Sequence, residues 1–244
     1  MINIFLVTGA TKGLGRSIVS HLAHLNYRVY AVGRTKELLE DLSAKNPLIH
    51  PISCDITKPN DLDKIIAAVS QEKSLSIIHN AAVIVPRLFV NDDNNAALMK
   101  QFDTDFFAPL LLTKKLLPLL HGGQRVLHIS SQAANLALPG LMGYCISKAA
   151  LEQATRCLNA ELAEKKIYFS IFRPGLLDTP MQTELRTSNP VDLPGRDFYI
   201  DCFEEKKLND PDDIARHVVQ VMLHSTDKAY VDTVWDVNVS PNIP

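Results

Sequence analysis

The sequence of 244 residues has little of what marks secreted, metal-binding or membrane-spanning proteins. Its four cysteines form no CxxC pair, and no histidine follows them at metal-ligand spacing. We therefore expect free thiols in a reducing compartment and no metal site. The amino-terminal residues lack a signal-peptide pattern. The most apolar stretch, 106–120, contains two lysines and two prolines and is shorter than the ~20 apolar residues of a membrane span. These absences predict a cytoplasmic protein with no membrane partner.

The chain also has no large excess of either positive or negative charge. The formal net charge is −2, which predicts no strong attraction to nucleic acid or to an anionic surface. Hydrophobic residues make up 46% and charged residues 21% of the chain, as in ordinary globular proteins. A chain of this length fits one large domain, and we found neither a linker nor an internal repeat. Residues 1–244 are therefore predicted to form a single domain.

Short apolar runs alternate with segments of helical periodicity along the whole chain. This alternation predicts an α/β fold, with a doubly wound parallel sheet of about seven strands and helices on both faces, of the Rossmann type. Pro51 suits an edge strand. Region 176–209 is irregular, and such long connections tend to be functional, so we assign it as the substrate loop. The predicted strands are 2–7, 28–32, 48–53, 75–79, 125–130, 167–172 and 229–237. The predicted helices are 14–25, 36–45, 59–71, 95–119, 141–165 and one starting at Pro211 with Asp210 as N-cap.

A glycine-rich turn, TGATKGLG at 8–15, joins the first strand to the first helix. Glycines without Cβ atoms allow a phosphate to approach the backbone, and the helix amino end offers free N–H groups and a positive dipole. Glycine is also common in ordinary turns, but its place between strand and helix favours a dinucleotide site. The loop residues assigned to this site are Gly9, Thr11, Lys12, Gly13, Leu14 and Gly15.

Tyr144 and Lys148 lie four residues apart in a predicted helix, so their side chains share one face at roughly 5–6 Å. A neighbouring ammonium stabilises a phenolate, so we expect Lys148 to lower the pKa of Tyr144. Tyr144 would then serve as a general acid near neutral pH. Most such pairs are surface residues, so the pair alone carries little weight.

The glycine spacing G-x3-G-x-G resembles that of the short-chain dehydrogenase/reductase family. Further motifs follow in the family's order, on the predicted strand ends, and the resemblance covers nearly the whole chain. It implies an oxidoreductase with a nicotinamide cofactor, of the NADPH-preferring carbonyl reductase type, similar to sepiapterin and benzil reductases. The motifs are Asn80-Ala81-Ala82, Ser131, the pair Tyr144 and Lys148, and Pro174-Gly175.

The resemblance assigns the remaining cofactor contacts. In the family an aspartate after the third strand holds the adenine and a threonine after the Pro-Gly element holds the nicotinamide carboxamide. The second strand ends at Gly33-Arg34 with no carboxylate, so Arg34 and Lys12 favour the 2′-phosphate of NADP(H) over NAD(H). The alternatives are two surface cations, and a turn-forming role for the aspartate. The residues carried over are Asp55, Ile56, Asn80, Ala81, Ala82, Tyr144, Lys148, Pro174, Gly175, Leu177 and Thr179.

The same resemblance assigns catalytic roles to three residues. Ser131, thirteen residues before Tyr144, would hydrogen-bond the reacting oxygen; a register slip would instead select Ser130. Tyr144 would donate the proton, and Lys148 would tune it and hold the nicotinamide ribose. The family usually has an asparagine in the long helix before the serine strand, and this sequence has Asp105. In the family this asparagine helps to hold an irregular helix turn whose main-chain carbonyl binds a water near the catalytic lysine. The resemblance therefore implies that Asp105 either preserves this proton relay or alters it.

Mostly apolar residues are expected beside Tyr144, which favours an uncharged ketone, aldehyde or diketone as substrate. Arg186 and Arg196 leave an anionic substrate open. The long helices are expected to form a homodimer or homotetramer, as in the family. A non-catalytic NADP(H)-binding sensor is the main alternative function, and a Rossmann-type methyl transferase is a weaker one. The expected lining is Ala133, Leu141, Met142, Leu176 and Met181, with Phe198 and Phe203 above it.

Overall fold

The computed structural model of the protein describes residues 4–93 and 95–239, and within them seven strands form one parallel sheet. The strand order is β3-β2-β1-β4-β5-β6-β7, so the connection from β3 to β4 carries the chain from one half of the sheet to the other, and the two halves meet between β1 and β4. The predicted doubly wound sheet is confirmed. The strands are β1 Ile4–Thr8, β2 Arg28–Gly33, β3 Ile49–Ser53, β4 Ser76–His79, β5 Arg125–Ile129, β6 Tyr168–Arg173 and β7 Val234–Asp236. The first residues of the predicted strand 2–7, Ile2 and Asn3, lie outside the described residues.

Helices cover both faces of this sheet because its strands are apolar on both sides. Phe5 and Val7 face a core made with α1 and α9, whereas Leu6 faces the opposite core, made with α3 and α5. The helices are α1 Gly13–His24, α2 Lys36–Ala44, α3 Pro59–Val69, α4 Ala96–Phe102, α5 Ala108–Leu116, α6 Met142–Glu161, α7 Pro180–Thr187, α8 Arg196–Glu204, α9 Pro211–His224 and α10 Asp227–Asp232.

Two proline positions agree with the sequence prediction. β3, which contains Pro51, pairs only with β2 and forms an edge of the sheet, where the missing N–H leaves no gap between strands. Pro211 is the first residue of α9, and the Asp210 carboxylate accepts a hydrogen bond from the Asp212 N–H at 2.7 Å. Asp210 is thus the N-cap that the sequence predicts.

The predicted helix 95–119 is present but is not regular. A π-helical turn, Asp103–Phe107, separates α4 from α5, and a 3₁₀ turn, Leu117–Leu119, ends the segment. Pro109 has no N–H to bond the carbonyl of Asp105, so the regular helical pattern cannot continue across this turn. π turns of this kind are frequent at functional sites. This one places the Asp105 side chain in the interior.

The predicted strand 229–237 is wrong over most of its length. Residues Asp227–Asp232 form α10, and only Val234–Asp236 pair with β6. Thr226 caps α10 by accepting a hydrogen bond from the Ala229 N–H, and Tyr230 is completely buried beneath the Arg125 guanidinium. Capping and burial of one aromatic ring outweigh the strand propensity of this apolar segment.

The region 176–209, predicted as an irregular loop, contains helices α7 and α8. Its two ends meet, because the Asn209 N–H donates to the Leu176 carbonyl at 2.8 Å and the Asp178 N–H donates to the Asn209 carbonyl at 3.1 Å. The region therefore leaves the sheet after β6 and returns to the same place before α9. In the part of the chain that the structure describes, no helix is long and apolar enough to cross a membrane.

Candidate active site

A cleft of about 790 Å³ opens at the carboxyl ends of the strands, where ligands bind in sheets of this type. It brings together most of the residues assigned from the sequence. Gly15, Asp105, Ser131 and Gly175 do not line it directly. Those that do are Gly9, Thr11, Lys12, Gly13, Leu14, Arg34, Asp55, Ile56, Asn80, Ala81, Ala82, Tyr144, Lys148, Pro174, Leu177 and Thr179.

The glycine loop has a backbone shape that requires two of its glycines. Gly9 has a φ of +67°, and a Cβ there would lie 2.7 Å from the Cα of Ala81. A Cβ on Gly15 would lie 2.2 Å from the carbonyl oxygen of Gly9. Asn80 fastens this turn, since its side-chain amide donates to the carbonyls of Thr8 and Gly9 at 3.1 and 3.2 Å. Asn80 thus shapes the loop that faces the cleft.

The dinucleotide predicted from the sequence fits the donor groups at this cleft. The amino end of α1 faces it, and glycines leave its backbone accessible to a pyrophosphate. Lys12 and Arg34 are exposed at one end, and among residues 4–93 and 95–239 neither takes part in an ion pair. Asp55 lines the same end, but its Oδ1 accepts hydrogen bonds from the N–H and hydroxyl of Thr57. The turn-forming role of Asp55 is therefore present in the structure.

Tyr144 and Lys148 lie on the face of α6 that packs against the end of β5. The Ser131 side chain lies close enough to the Tyr144 hydroxyl to lower the pKa of that phenol. The choice of Ser131 over Ser130 as the residue that meets the substrate stays a prediction. Lys148 is buried; its Nζ donates to the Ile129 carbonyl at 3.1 Å and lies 5.7 Å from the centre of the Tyr144 ring. Ser130 also lines the cleft, and its hydroxyl donates to Glu152 Oε1 at 2.8 Å.

The pKa of Tyr144 is raised in this structure, whereas the sequence led us to expect a lowered value. Burial is the largest cause, and the charge of Asp105 adds to it, while the Ser131 side chain opposes both. The Lys148 ammonium lies 3.7 Å from Asp105 Oδ2, so its positive charge is balanced there. A phenol with a raised pKa keeps its proton at neutral pH, as a general acid must.

Asp105 is buried within the π-helical turn and its carboxylate is fully engaged. Oδ1 accepts from the Val83 N–H at 2.9 Å, and Oδ2 accepts from the Gln101 side chain at 2.8 Å and faces Lys148. Burial raises the pKa of Asp105, and Lys148 is the largest opposing influence. Asp105 thus contacts Lys148 through its side chain, which a purely main-chain role does not require.

Apolar side chains pack around Tyr144 on the side of the substrate loop, and of the five residues expected to line the site, Met181 lines the cleft. Met142, by contrast, is partly exposed, and Phe198 and Phe203 are exposed rather than folded over the site. Phe203 lies beneath the Arg186 guanidinium at 3.9 Å. The packed set comprises Ile84, Ala133, Leu138, Leu141, Cys145, Leu176, Met181, Leu185, Leu193 and Tyr199.

Sequence reasoning missed two buried polar residues near the site, Gln101 and Glu152. Gln101 connects the carbonyl of Val83 to Asp105, and Glu152 contacts Ser130. Glu152 continues the four-residue spacing of Tyr144 and Lys148, and that spacing was a signal available in the sequence. Among the described residues, no group of histidine, cysteine and carboxylate side chains is arranged to hold a metal ion.

Comparison with known proteins gives the class of this protein. A family model described as short chain dehydrogenase matches residues 3–190. The chain belongs to the short-chain dehydrogenase/reductase family, and it is therefore an oxidoreductase, as the sequence motifs predict.

Individual relatives match nearly the full length of this chain. The chain is 26% identical over 239 residues to benzil reductase ((S)-benzoin forming) of Bacillus subtilis (strain 168), covering 93% of this chain and 96% of that protein. A solved short chain dehydrogenase/reductase from Saccharomyces cerevisiae matches with a TM-score of 0.89 and 29% identity, over 97% of this chain and 96% of that one. A short chain dehydrogenase from Burkholderia cenocepacia, solved in complex with NADP, matches with a TM-score of 0.73 and 25% identity, over 92% and 85%.

The contact between Gly15 and the Gly9 carbonyl yields a testable prediction. In Gly15→Ala the new Cβ displaces the glycine loop, and we expect nicotinamide dinucleotide affinity to fall by about 100-fold, as a displacement near 1 Å can produce. The measurement is a fluorescence titration with the reduced dinucleotide. Gly195→Ala is the matched control, because a Cβ there meets nothing within 4 Å. Equal affinity of Gly15→Ala and the control would contradict the assignment.

Proposed function

We propose that the protein is an NADPH-dependent carbonyl reductase that reduces a ketone, aldehyde or diketone to an alcohol. The observation that carries the proposal is Tyr144, which lines the cleft on the same helix face as Lys148 and has the Ser131 side chain beside its hydroxyl. A proton donor and a second hydroxyl can protonate and orient a carbonyl oxygen, while a bound reduced dinucleotide would supply the hydride. We propose that residues 1–244 act as one domain, in the cytoplasm.

In this proposal, residues at the cleft hold the cofactor in sections. The glycine loop and the amino end of α1 bind the pyrophosphate, and Lys12 and Arg34 bind the 2′-phosphate. Lys148 holds the nicotinamide ribose. When bound, the reduced nicotinamide supplies a hydride to the carbonyl carbon. The remaining contacts are Asp55 and Ile56 at the adenine, Asn80, Ala81 and Ala82 at the adenosine ribose, and Pro174, Gly175, Leu177 and Thr179 at the nicotinamide.

The protein's own side chains complete the reduction. Ser131 donates a hydrogen bond to the carbonyl oxygen and orients it, and Tyr144 transfers its phenolic proton to the same oxygen. Burial favours the protonated form of Tyr144, so the acid is ready at neutral pH. Lys148 and Asp105 form a buried ion pair behind Tyr144, which holds the ammonium in place.

An uncharged substrate is supported by the walls around Tyr144. The packed set on the substrate-loop side is apolar, its members Ile84 and Met181 line the cleft, and Arg186 lies over Phe203 rather than among that set. The relative from Bacillus subtilis is a benzil reductase, and benzil is an uncharged 1,2-diketone. We therefore propose ketones and diketones ahead of phosphorylated or carboxylated carbonyl compounds. A panel in which only anionic carbonyl compounds were reduced would refute this choice.

Assembly as a homodimer or homotetramer is also proposed. Large apolar side chains are exposed along the helices that the family uses for assembly, namely Phe107 and Leu111 on one segment and Ile146 on α6. These residues are neighbours of Phe102, Phe106 and Leu110, which are partly buried. Sedimentation of the purified protein measures the assembly directly.

Tyr144→Phe tests the reductase function against the sensor alternative. Removing the proton donor should lower kcat by about 10²- to 10⁴-fold, while NADPH affinity measured by fluorescence stays unchanged. Tyr168→Phe is the matched control, because Tyr168 begins β6 at the opposite end of the sheet. If the wild-type protein binds NADPH but reduces no aldehyde, ketone, diketone or quinone, the sensor function is supported instead.

Arg34→Ala tests the choice of cofactor. Loss of a charge-assisted contact to the 2′-phosphate should raise the KM for NADPH by about 10- to 100-fold and leave the KM for NADH unchanged. Arg28→Ala is the matched control, since Arg28 lies at the other end of β2 and pairs with Glu72. A wild-type protein that uses NADH as well as NADPH would overturn the assignment.

Asp105→Asn tests the influence of the buried carboxylate on the proton donor. The Asp105 charge raises the pKa of Tyr144, so its removal lowers that pKa. The reduction rate falls as pH rises through the pKa of the acid, and the alkaline limb of the pH–rate profile should therefore move to lower pH. Asp103→Asn, an exposed position in the same π turn, is the control. Identical profiles for wild type and Asp105→Asn would remove Asp105 from the mechanism.

A further inference from the structure

Glu152 is a buried carboxylate one helical turn beyond Lys148, and the reaction as proposed does not use it. Only 2% of its surface is exposed. Its Oε1 accepts hydrogen bonds from the Ser130 hydroxyl and from Arg173 Nε, each at 2.8 Å, and its Oε2 accepts from Arg173 Nη2 at 2.8 Å. Arg156 reaches the same carboxylate from the surface at 3.4 Å. Glu152 therefore connects α6 to the ends of both β5 and β6.

The network extends from Arg173 to β7. Arg173 Nη1 lies 3.9 Å from Asp236 Oδ2, and the Gln132 side chain donates to Asp236 Oδ1 at 3.1 Å. The two neighbours of Ser131 in sequence are thus both held: Ser130 by Glu152 and Gln132 by Asp236. Ser131 itself is left to face Tyr144.

Three successive residues at the end of β5 meet three positions of α6 that are spaced one turn apart. Because helix positions i, i+4 and i+8 lie along one line, a shift of α6 along its axis would change all three contacts together. The pairs are Tyr144 with Ser131, Lys148 with the Ile129 carbonyl, and Glu152 with Ser130.

The ion pair between Glu152 and Arg173 is not explained by stability alone. Removing two charges from water costs free energy that their attraction often fails to recover, and apolar pairs of similar size can be equally stable. A bidentate contact between arginine and carboxylate does, however, fix distance and direction more narrowly than apolar packing. The contact is made at the strand end that carries Ser131.

We propose that Glu152 and Arg173 are positioning residues: their ion pair fixes the place of α6 along the end of β5, and through Ser130 it holds the Ser131 side chain beside that of Tyr144. The proposal rests on the proposed function, because Ser131 and Tyr144 must act on the substrate for their separation to affect the rate. Small displacements of reacting groups have large effects on rate, since a misplacement of about 1 Å can cost about 100-fold.

Two variants remove the positioning contact in different ways. Ser130→Ala cuts the link between Ser130 and Glu152 and leaves the ion pair with Arg173 intact. The double variant Glu152→Leu/Arg173→Met removes both charges, so no unpaired partner of this pair stays buried. Each is purified as the full chain and assayed for kcat, for NADPH affinity by fluorescence, and for melting temperature.

Two controls separate positioning from stability. Arg156→Ala removes the peripheral contact of Glu152 and an exposed hydrogen bond to Gln153, and it should leave kcat unchanged. Arg125→Met removes another buried arginine, which binds the Met222 and Ser225 carbonyls at the opposite end of the sheet. Arg125→Met should lower the melting temperature and leave kcat of the folded protein unchanged.

We expect kcat to fall by about tenfold in Ser130→Ala and by about 100-fold in the double variant, with NADPH affinity unchanged in both. The double variant should also melt close to the wild-type temperature. Wild-type kcat in both variants would overturn the proposal, and so would a loss of activity that only follows the loss of folded protein. Wild-type protein that binds NADPH but reduces no carbonyl compound refutes the proposed function itself, and the positioning role falls with it.

Discussion

The contact between the end of β5 and one face of α6 is the interaction on which the rest of the site depends. Lys148 can reach the Ile129 carbonyl only from inside the protein, so its charge has to be balanced there. Asp105 supplies that balance at 3.7 Å, and the π-helical turn is what brings its carboxylate inward. An irregular helix, a buried ion pair and a protonated tyrosine are therefore consequences of one helix–strand contact.

Behind the site, Lys148 is a buried cation and Arg173 a largely buried one, and each is paired with a carboxylate. The two histidines buried near them do not add further positive charge. His79 and His128 stack at 5.0 Å on the strands beneath Lys148 and donate or accept one hydrogen bond each, with Thr113 and Thr155. Burial lowers the pKa of His79 to about 3, and burial, His79 and Lys148 lower that of His128. Both rings stay neutral at ordinary pH, so the Lys148 charge has no competing cation beside it.

Much of this architecture follows from local sequence patterns. The alternation of apolar runs and helical periodicity predicts the sheet, and the glycine loop and the spacing of Tyr144 and Lys148 predict where ligands meet it. The α10 segment could not be predicted, because the burial of Tyr230 against Arg125 is a contact across the fold. The raised pKa of Tyr144 could not be predicted either, since it depends on burial and on Asp105, thirty-nine positions away in the sequence. Local spacing shows which side chains share a face, and only the fold shows what covers them.

The two ends of region 176–209 lie side by side, which separates this region from the sheet that it leaves. Leu176 and Asn209 are hydrogen-bonded to each other, so the segment between them begins and ends at one point beside β6. Closing a longer segment costs only slightly more entropy than closing a shorter one. Helices α7 and α8 can thus differ in length or shape while the chain still leaves and rejoins the sheet at the same point.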